Sequence, residues 1–203
     1  AVAGVHAYLI LREDRNEHAQ AQRESNRMAL RIAMGFAAVA AIVQPLNGHW
    51  AAQDVAERQP MKLAAMESHF ETSEGAPLLI GGIPDEETQS VSYGIEIPGA
   101  LSLLAFNDPD AEVAGLDQIP QDQWPPVLPV HLAFQVMVGT GSALALLALI
   151  WLFALRFRPH WLEARRMLWA LVLAAPMGFL AIEAGWTVTE VGRQPWIIYG
   201  IMR

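Results

Sequence analysis

The strongest constraint in this sequence is the distribution of its charged residues. Three long stretches, residues 32–53, 123–155 and 167–182, contain no Asp, Glu, Lys or Arg. A helix of about 20 apolar residues crosses a bilayer, and two of the stretches exceed that length. The chain as a whole is 53% hydrophobic and 17% charged, whereas soluble domains are roughly 45–50% apolar and about 25% charged. The sequence therefore predicts an all-α integral membrane protein.

The same pattern divides the chain into helices and loops. Transmembrane helices are expected at residues 28–46, 130–155 and 167–190, and the end of a further one at residues 1–11. Loops are expected at residues 12–27, 47–129 and 156–166, and a segment containing Gly-Arg-Gln-Pro, with the start of the next element, at residues 191–203. We interpret the sequence as an internal fragment of a transmembrane helix bundle with a long, partly helical extracytoplasmic loop.

The basic residues orient these helices. Each of the two short loops carries four arginines, whereas the loop at 47–129 carries only Arg58 and Lys62. Short loops rich in Lys and Arg face the cytoplasm. We therefore expect residues 12–27 and 156–166 to be cytoplasmic and the long loop to lie on the outer side of the membrane.

The long loop has the composition of a folded segment rather than of a linker. Residues 54–122 contain 14 acidic and two basic residues, so the net charge of −8 for the whole chain is concentrated there. Strong helix formers after Pro60 predict a helix within Val55–Glu71, and a short strand is expected at Val91–Ile97. No nucleic-acid partner is expected. The absence of cysteine excludes Cys-ligated iron–sulfur clusters and zinc, covalently attached c-type haem and disulfides.

Ionisable residues in the last apolar stretch point to function. Glu183 and Glu190 are seven residues apart and share one helical face, and Arg193 follows. A carboxylate in a membrane costs several kcal/mol unless it is paired or liganded, so these residues favour a functional site. One alternative is that Glu190 and Arg193 simply pair at the helix end. Another is a transporter or proton-conducting protein that uses Glu183, Glu190 and Arg193 as a relay.

Three blocks of sequence resemble subunit I of the cytochrome bd-type quinol oxidases and follow the family order. The blocks are Gln59–Glu67, Phe134–Gly139 and Glu183–Trp196, and the segments Gly81–Asp85 and Ile97–Gly99 also fit. The loop is of the short type within the family. The resemblance implies a subunit of a terminal respiratory oxidase that oxidises quinol at the outer membrane face. It also implies that electrons pass through haems and reduce oxygen to water.

The resemblance assigns quinol oxidation to Lys62 and Glu67. Glu67 would accept a quinol proton, and Lys62 would stabilise a quinol oxygen. Five residues apart on a helix, the two side chains diverge by about 140° and would flank a pocket. Without the resemblance, two solvated charges on an acidic loop would be the simpler interpretation.

The resemblance also assigns haem-binding residues. Met137 matches an axial ligand of the iron of a low-spin haem b, whose histidine partner would lie outside this sequence. Glu190 matches the ligand of the iron of a high-spin haem b. Arg193, Trp186 and Gln194 complete the implied cofactor-binding set.

Three other polar residues are given no cofactor role. His6 is expected to be a packing or interface histidine, and His131 to lie near the membrane boundary. Gln135 stands two residues before Met137, where some relatives carry arginine, so the haem environment here could differ from theirs.

The implied cofactors are two haems b, one low-spin and one high-spin, together with a haem d or a third haem b. Quinol and oxygen would be the substrates. The implied partners are a second membrane subunit (subunit II), small accessory subunits and membrane lipid.

Overall fold

The computed structural model describes residues 1–12, 17–197 and 201–202, with side chains omitted at 17–20. The helices are α1 (Val2–Arg12), α2 (Glu17–Arg58), α3 (Pro60–Glu67), α4 (Ala100–Phe106), α5 (Val127–Phe157), α6 (Arg165–Ala174) and α7 (Met177–Val191). The strands are β1 (Ser73–Glu74), β2 (Leu78–Ile80), β3 (Ile83–Asp85), β4 (Ser90–Ser92), β5 (Ile95–Ile97) and β6 (Glu112–Val113). Short 3₁₀ helices cover Leu116–Gln118, Gln121–Gln123 and Pro159–Trp161. The predictions for residues 13–16, 198–200 and 203 lie outside the described residues.

Within the described residues, three helical segments are long and apolar enough to cross a membrane. They are Ala21–Arg58, Val127–Phe157 and Arg165–Val191. The predicted helical membrane protein is therefore confirmed. The third segment is interrupted between α6 and α7, at Pro176, because proline lacks the N–H that would continue the helical hydrogen bonds.

Helix α2 is longer than the span predicted at 28–46. Helical backbone starts at Glu17 and continues through Pro45 to Arg58, because the Ala, Gln and Arg residues that flank the apolar part are themselves good helix formers. The helix ends where Gln59 precedes Pro60, since a residue before proline is disfavoured in the α conformation. Residues 47–58, the last three turns of α2, are thus helical although the charge pattern predicted them to be part of the loop at 47–129.

Ala1–Pro45 and Gly139–Ala181 form one compact unit. Its core is a single apolar cluster that includes Leu30, Trp151 and Leu168. Helix α1 packs on α6 so closely that a Cβ added at Gly4 would lie 2.8 Å from the carbonyl oxygen of Leu171. His6 is half-buried, and its Nδ1 lies 3.0 Å from Asn26 Oδ1, as expected for a packing histidine.

Leu46–Val138 and Ile182–Arg203 form a second unit, which holds most of the predicted site. Its strands form three antiparallel pairs, β1 with β6, β2 with β5 and β3 with β4. The predicted strand at Val91–Ile97 is wrong in detail, because the backbone turns at Tyr93, whose φ is 62°, and divides it into β4 and β5. Helix α3 begins at Pro60, within the predicted helical region.

Helix α3 lies at the centre of the second unit and is covered on every side. Leu63 packs with Leu101 and Val113, and Ala64 packs with Leu116. Ala65 and Met66 pack with Val130 of α5 and Val188 of α7. All residues from Met61 to Glu67 are consequently buried, including the two charged ones.

Candidate functional site

Lys62 and Glu67 are both buried on α3, and this burial changes their pKa values. Their exposed fractions are 8% and 3%, so neither is a solvated surface charge. Burying an ionised group is costly unless it is hydrogen-bonded or paired, and the cost moves the pKa toward the neutral form. Each of the two residues shows this effect.

Lys62 faces the turn that follows α7. It lines a cavity of about 180 Å³ together with Gln59, Thr189, Arg193, Gln194 and Trp196. Burial lowers the pKa of Lys62, and the positive charge of Arg193 lowers it further, whereas Glu190 acts in the opposite direction. The fold therefore brings the Lys62 block and the Gly-Arg-Gln-Pro block, 130 residues apart in sequence, around one cavity.

Gly192 permits this close approach. A Cβ added there would lie 2.4 Å from the carbonyl oxygen of Val188, 3.2 Å from Cγ of Lys62 and 3.4 Å from Cγ1 of Val130. Since real Cβ atoms do not come this close to a backbone oxygen, a larger residue would change the turn itself, and its Cβ would also crowd the Lys62 side chain. The glycine of the Gly-Arg-Gln-Pro block thus has a packing function beside Lys62.

Glu190 and Arg193 form an ion pair at the end of α7. Their side chains are 45% and 43% exposed, and the amide nitrogen of Gln194 donates to the carbonyl oxygen of Glu190 over 3.4 Å. The pair predicted as an alternative from the sequence is therefore present. Glu183 and Trp186 lie on the same helix and are exposed in the described residues.

Glu67 lies away from the cavity beside Lys62. It is the last residue of α3, and its Oε2 accepts a hydrogen bond from the backbone N–H of Leu79 in β2, 3.3 Å away. Burial raises the pKa of Glu67 to about 7, although the Leu79 bond opposes the shift. A carboxyl group with this pKa can take up and release a proton near neutral pH.

Met137 lies on α5 and is half-buried. Its Sδ packs against α7, because a Cβ added at Gly185 would lie 3.0 Å from that sulfur. The thioether of Met137 is a donor type that haem iron accepts in proteins, and a carboxylate such as that of Glu190 can ligate iron, so the residues present fit the implied cofactors. No group of three or more His, Asp or Glu side chains forms a metal site within residues 1–12, 17–197 and 201–202.

Two residues of α5 that the sequence did not assign to the site contact it directly. His131 is fully buried, with Nδ1 2.8 Å from the carbonyl oxygen of Met66 and Nε2 3.1 Å from that of Gly81. Gln135 accepts from the N–H of Gly81 and donates to the carbonyl of Leu79, both over 3.0 Å. Their four-residue spacing in an apolar helix could have signalled one shared polar face.

Comparison with known proteins identifies the family. Residues 1–203 match the family model described as cytochrome bd terminal oxidase subunit I. The chain belongs to this family. The resemblance inferred from the three sequence blocks is thereby confirmed, and the chain falls within a family of membrane-bound oxidoreductases of electron transport.

Comparisons of this subunit I chain with individual proteins agree with the family assignment. It is 39% identical over its whole length to a Bacillus subtilis (strain 168) protein with the provisional name cytochrome bd menaquinol oxidase subunit I. It is 31% identical, over 99% of its length, to cytochrome bd ubiquinol oxidase subunit 1 of the same organism. The bd oxidase structure from Geobacillus thermodenitrificans matches the whole chain with a TM-score of 0.84 and 40% identity.

The chain spans less than half of the length of these proteins. It covers 45% and 43% of the two Bacillus subtilis sequences and 45% of the Geobacillus chain. The alternative of a transporter or proton-conducting protein is not supported, since every one of these relatives is named as an oxidase.

Proposed function

We propose that this chain is the quinol-oxidising part of the catalytic subunit of a cytochrome bd-type terminal oxidase, a quinol:oxygen oxidoreductase. The observation that carries the proposal is the burial of Lys62 and Glu67 on one helix, with the pKa of both shifted toward the neutral form. The substrate class is quinol in general, because one relative is named for menaquinol and another for ubiquinol.

Glu67 acts as the proton acceptor. A quinol that loses two electrons also loses two protons, and a buried carboxylate can take one of them. Its pKa of about 7 allows Glu67 to change its protonation state near neutral pH. Because only the ionised form is a base, the rate of quinol oxidation should rise as pH increases through about 7.

Lys62 stabilises the quinol oxygen. Lys62 lines the cavity together with Arg193 and Gln194, and a positive charge in a partly buried site acts strongly on a developing oxyanion. Lys62 and Glu67 point to different sides of α3, as their spacing predicted. Glu67 does not line the cavity beside Lys62, so in this proposal Lys62 acts on the quinol oxygen and Glu67 accepts the released proton on another side of the helix.

Met137 and Glu190 would ligate haem iron, Met137 in the low-spin haem b and Glu190 in the high-spin haem b. Arg193 holds the carboxylate of Glu190 in place, and Trp186 and Gln194 would border the cofactors. When bound, these two haems and a third, haem d or haem b, carry electrons from quinol to oxygen, which is reduced to water. Subunit II and small accessory subunits would complete the enzyme.

We also propose the membrane arrangement derived from the sequence, with spans at 28–46, 130–155 and 167–190. The loop at 47–129 would face the periplasm and residues 12–27 and 156–166 the cytoplasm of a bacterial inner membrane. The ion pair of Arg27 with Glu163 supports the sidedness of the short loops, because it brings both of them to one end of the first unit.

The test uses the full-length subunit purified with subunit II. We expect haem bands in the visible spectrum and quinol-dependent oxygen consumption. In Glu67→Gln the activity should fall by about 100-fold or more, which is the usual contribution of a general base, while the haem bands remain. Glu71→Gln, which changes an exposed glutamate four residues further on, is the matched control and should retain activity.

Two results would contradict the proposal. A complex without haem bands would exclude the oxidase function. Wild-type turnover in Glu67→Gln would remove Glu67 from the reaction even if the spectrum were normal.

A further inference from the structure

The backbone of β2 has two neighbours besides its partner strand. Leu79 pairs with Glu96 of β5 in the antiparallel register, yet its N–H donates to Glu67 and its carbonyl accepts from Gln135. In an antiparallel pair, alternate residues direct their N–H and C=O groups away from the partner strand. Side chains of α3 and α5 thus bond the backbone groups on the edge of β2 that does not face β5.

Gln135 acts on this edge as a neighbouring strand would. Its amide oxygen accepts from the N–H of Gly81 and its amide nitrogen donates to the carbonyl of Leu79. The two bonds fix the side-chain amide in one orientation and fix β2 against α5. The oxygen and the nitrogen of this amide both bond the loop backbone. Gln135 therefore binds the loop, even though it lies only two residues from the proposed haem ligand Met137.

His131 joins the same edge to the end of α3. Its Nδ1 lies 2.8 Å from the carbonyl of Met66 and its Nε2 3.1 Å from the carbonyl of Gly81. Carbonyl oxygens only accept, so a neutral imidazole can bond one of them and an imidazolium can bond both. The Met66 carbonyl belongs to the last turn of a helix, where carbonyls lack backbone donors and a side-chain donor is stabilising.

These contacts form a ring that includes Glu67, and the ring is complete when His131 donates from both of its ring nitrogens. From the Glu67 carboxylate the ring passes through Leu79, Gln135, Gly81 and His131, and returns to Met66, the residue before Glu67. Every member lies in the second unit. The ring fixes both the backbone that carries the carboxylate and the N–H that binds it.

We propose that His131 and Gln135 are positioning residues for Glu67, holding β2 against α3 so that the Leu79 N–H remains on the carboxylate. The proposal rests on the proposed role of Glu67 in quinol oxidation. Neither residue touches the substrate in this scheme. Both act through the loop backbone.

Loss of the ring changes the ionisation of Glu67 in a defined direction. The Leu79 bond lowers the pKa of Glu67, so a small shift of β2 that breaks this bond while Glu67 stays buried raises that pKa further. The rise in rate with pH should then occur at higher pH. The other titratable groups around this end of α3 are Lys62 on the helix itself, His69 after it, Asp117 in the adjacent 3₁₀ helix and His131.

The experiment uses the whole oxidase with Gln135→Met, which keeps the side-chain length and removes both amide bonds. The matched control is Gln123→Met, because Gln123 makes no side-chain hydrogen bond to any described residue. We expect the ascending limb of the pH–rate profile to move up by about half a pH unit or more, as for loss of one hydrogen bond. At pH 7 kcat should fall several-fold, and the KM for quinol should change less than twofold.

A second measurement does not depend on turnover. Hydrogen exchange of the purified complex should show faster exchange of the Leu79 and Gly81 amides in Gln135→Met and unchanged exchange in the control. His131→Asn, whose amide can replace Nδ1 but not Nε2, should keep the Met66 bond and give a smaller change at Gly81. If Gln135→Met did not assemble with haem, His131→Asn would decide the matter by the same two measurements.

The outcomes separate this proposal from the proposed function. An unchanged pH limb and unchanged exchange in the variants would overturn the positioning role. A changed low-spin haem spectrum with the pH limb in place would show that Gln135 acts on the haem, and would overturn it as well. Wild-type activity of Glu67→Gln, measured in parallel, would instead refute the role of Glu67 itself.

Discussion

In the proposed mechanism, one buried helix prepares Lys62 to stabilise a quinol oxygen and Glu67 to act as a base. Burial lowers the pKa of the lysine and raises that of the glutamate to about 7, so both are moved toward the pH range in which proton transfer is efficient. The raised pKa also affects stability. Because protonated Glu67 is favoured in the fold, its stabilising contribution is present at acid pH and is lost as pH rises through about 7.

The role of Lys62 can be tested against a matched cation. We expect Lys62→Met to lower kcat/KM for quinol by about 10- to 100-fold, since a hydrogen bond to a charged group contributes roughly 1.5–3 kcal/mol. Arg58→Met removes the other basic residue of the loop, an exposed one paired with Asp54, and should have little effect. Steady-state oxygen consumption at several quinol concentrations measures both.

The same measurement can contradict the assignment. Equal kinetics in Lys62→Met and wild type would show that the ammonium does not contact quinol. A loss of the haem bands would show that Lys62 is required for assembly, which its burial against Gly192 would then explain.

At the scale of elements, the approach of α5 to α7 depends on a glycine. Gly185 faces Met137, and a Cβ there would lie 3.0 Å from the sulfur. A contact this short requires the sulfur to move by a few tenths of an ångström, which would disturb Met137 in its proposed role as a haem ligand. Small residues serve this function often in membrane helices, where packing rather than the hydrophobic effect holds helices together.

We therefore expect Gly185→Ala to alter the low-spin haem band while keeping the haem bound. Met137→Leu removes the thioether and should alter that band more strongly. Gly178→Ala is the control, because nothing lies within 4 Å of the position of its Cβ. Reduced-minus-oxidised visible spectra compare the three variants, and an unchanged spectrum in Met137→Leu would exclude Met137 as a ligand.

Some helices and strands were indicated by short stretches of the sequence, and others were not. The charge-free stretches indicated the membrane helices, and Pro60 indicated the start of α3, because both are properties of a few neighbouring residues. The continuation of α2 to Arg58 and the division of β4 from β5 were not indicated. They depend on helix propensity beyond the apolar stretch and on the left-handed backbone at Tyr93.

At the scale of the whole molecule, the proposed sidedness of the membrane can be measured. The chain contains no cysteine, so a single introduced thiol in this region can be labelled selectively if the rest of the subunit is also freed of cysteine. Tyr93→Cys lies at a position that is 93% exposed. It should react with a membrane-impermeant maleimide in intact cells.

Arg158→Cys, at an exposed position in the predicted cytoplasmic loop, is the control for the opposite side. It should react only after the membrane is permeabilised. Labelling of Arg158→Cys but not of Tyr93→Cys in intact cells would reverse the proposed topology.

The sequence by itself determined the membrane helices, the helix that carries Lys62 and Glu67, and the family, because charge-free length and contiguous motifs are local. Only the tertiary structure showed that Lys62 meets the Gly-Arg-Gln-Pro turn. It also showed that His131 and Gln135 bond the backbone of Met66 and Leu79, the two residues that hold Glu67. The physical reason is that these contacts join residues up to 130 positions apart and involve backbone groups. Backbone N–H and C=O groups are common to every residue, so only the fold decides which side chain they bind.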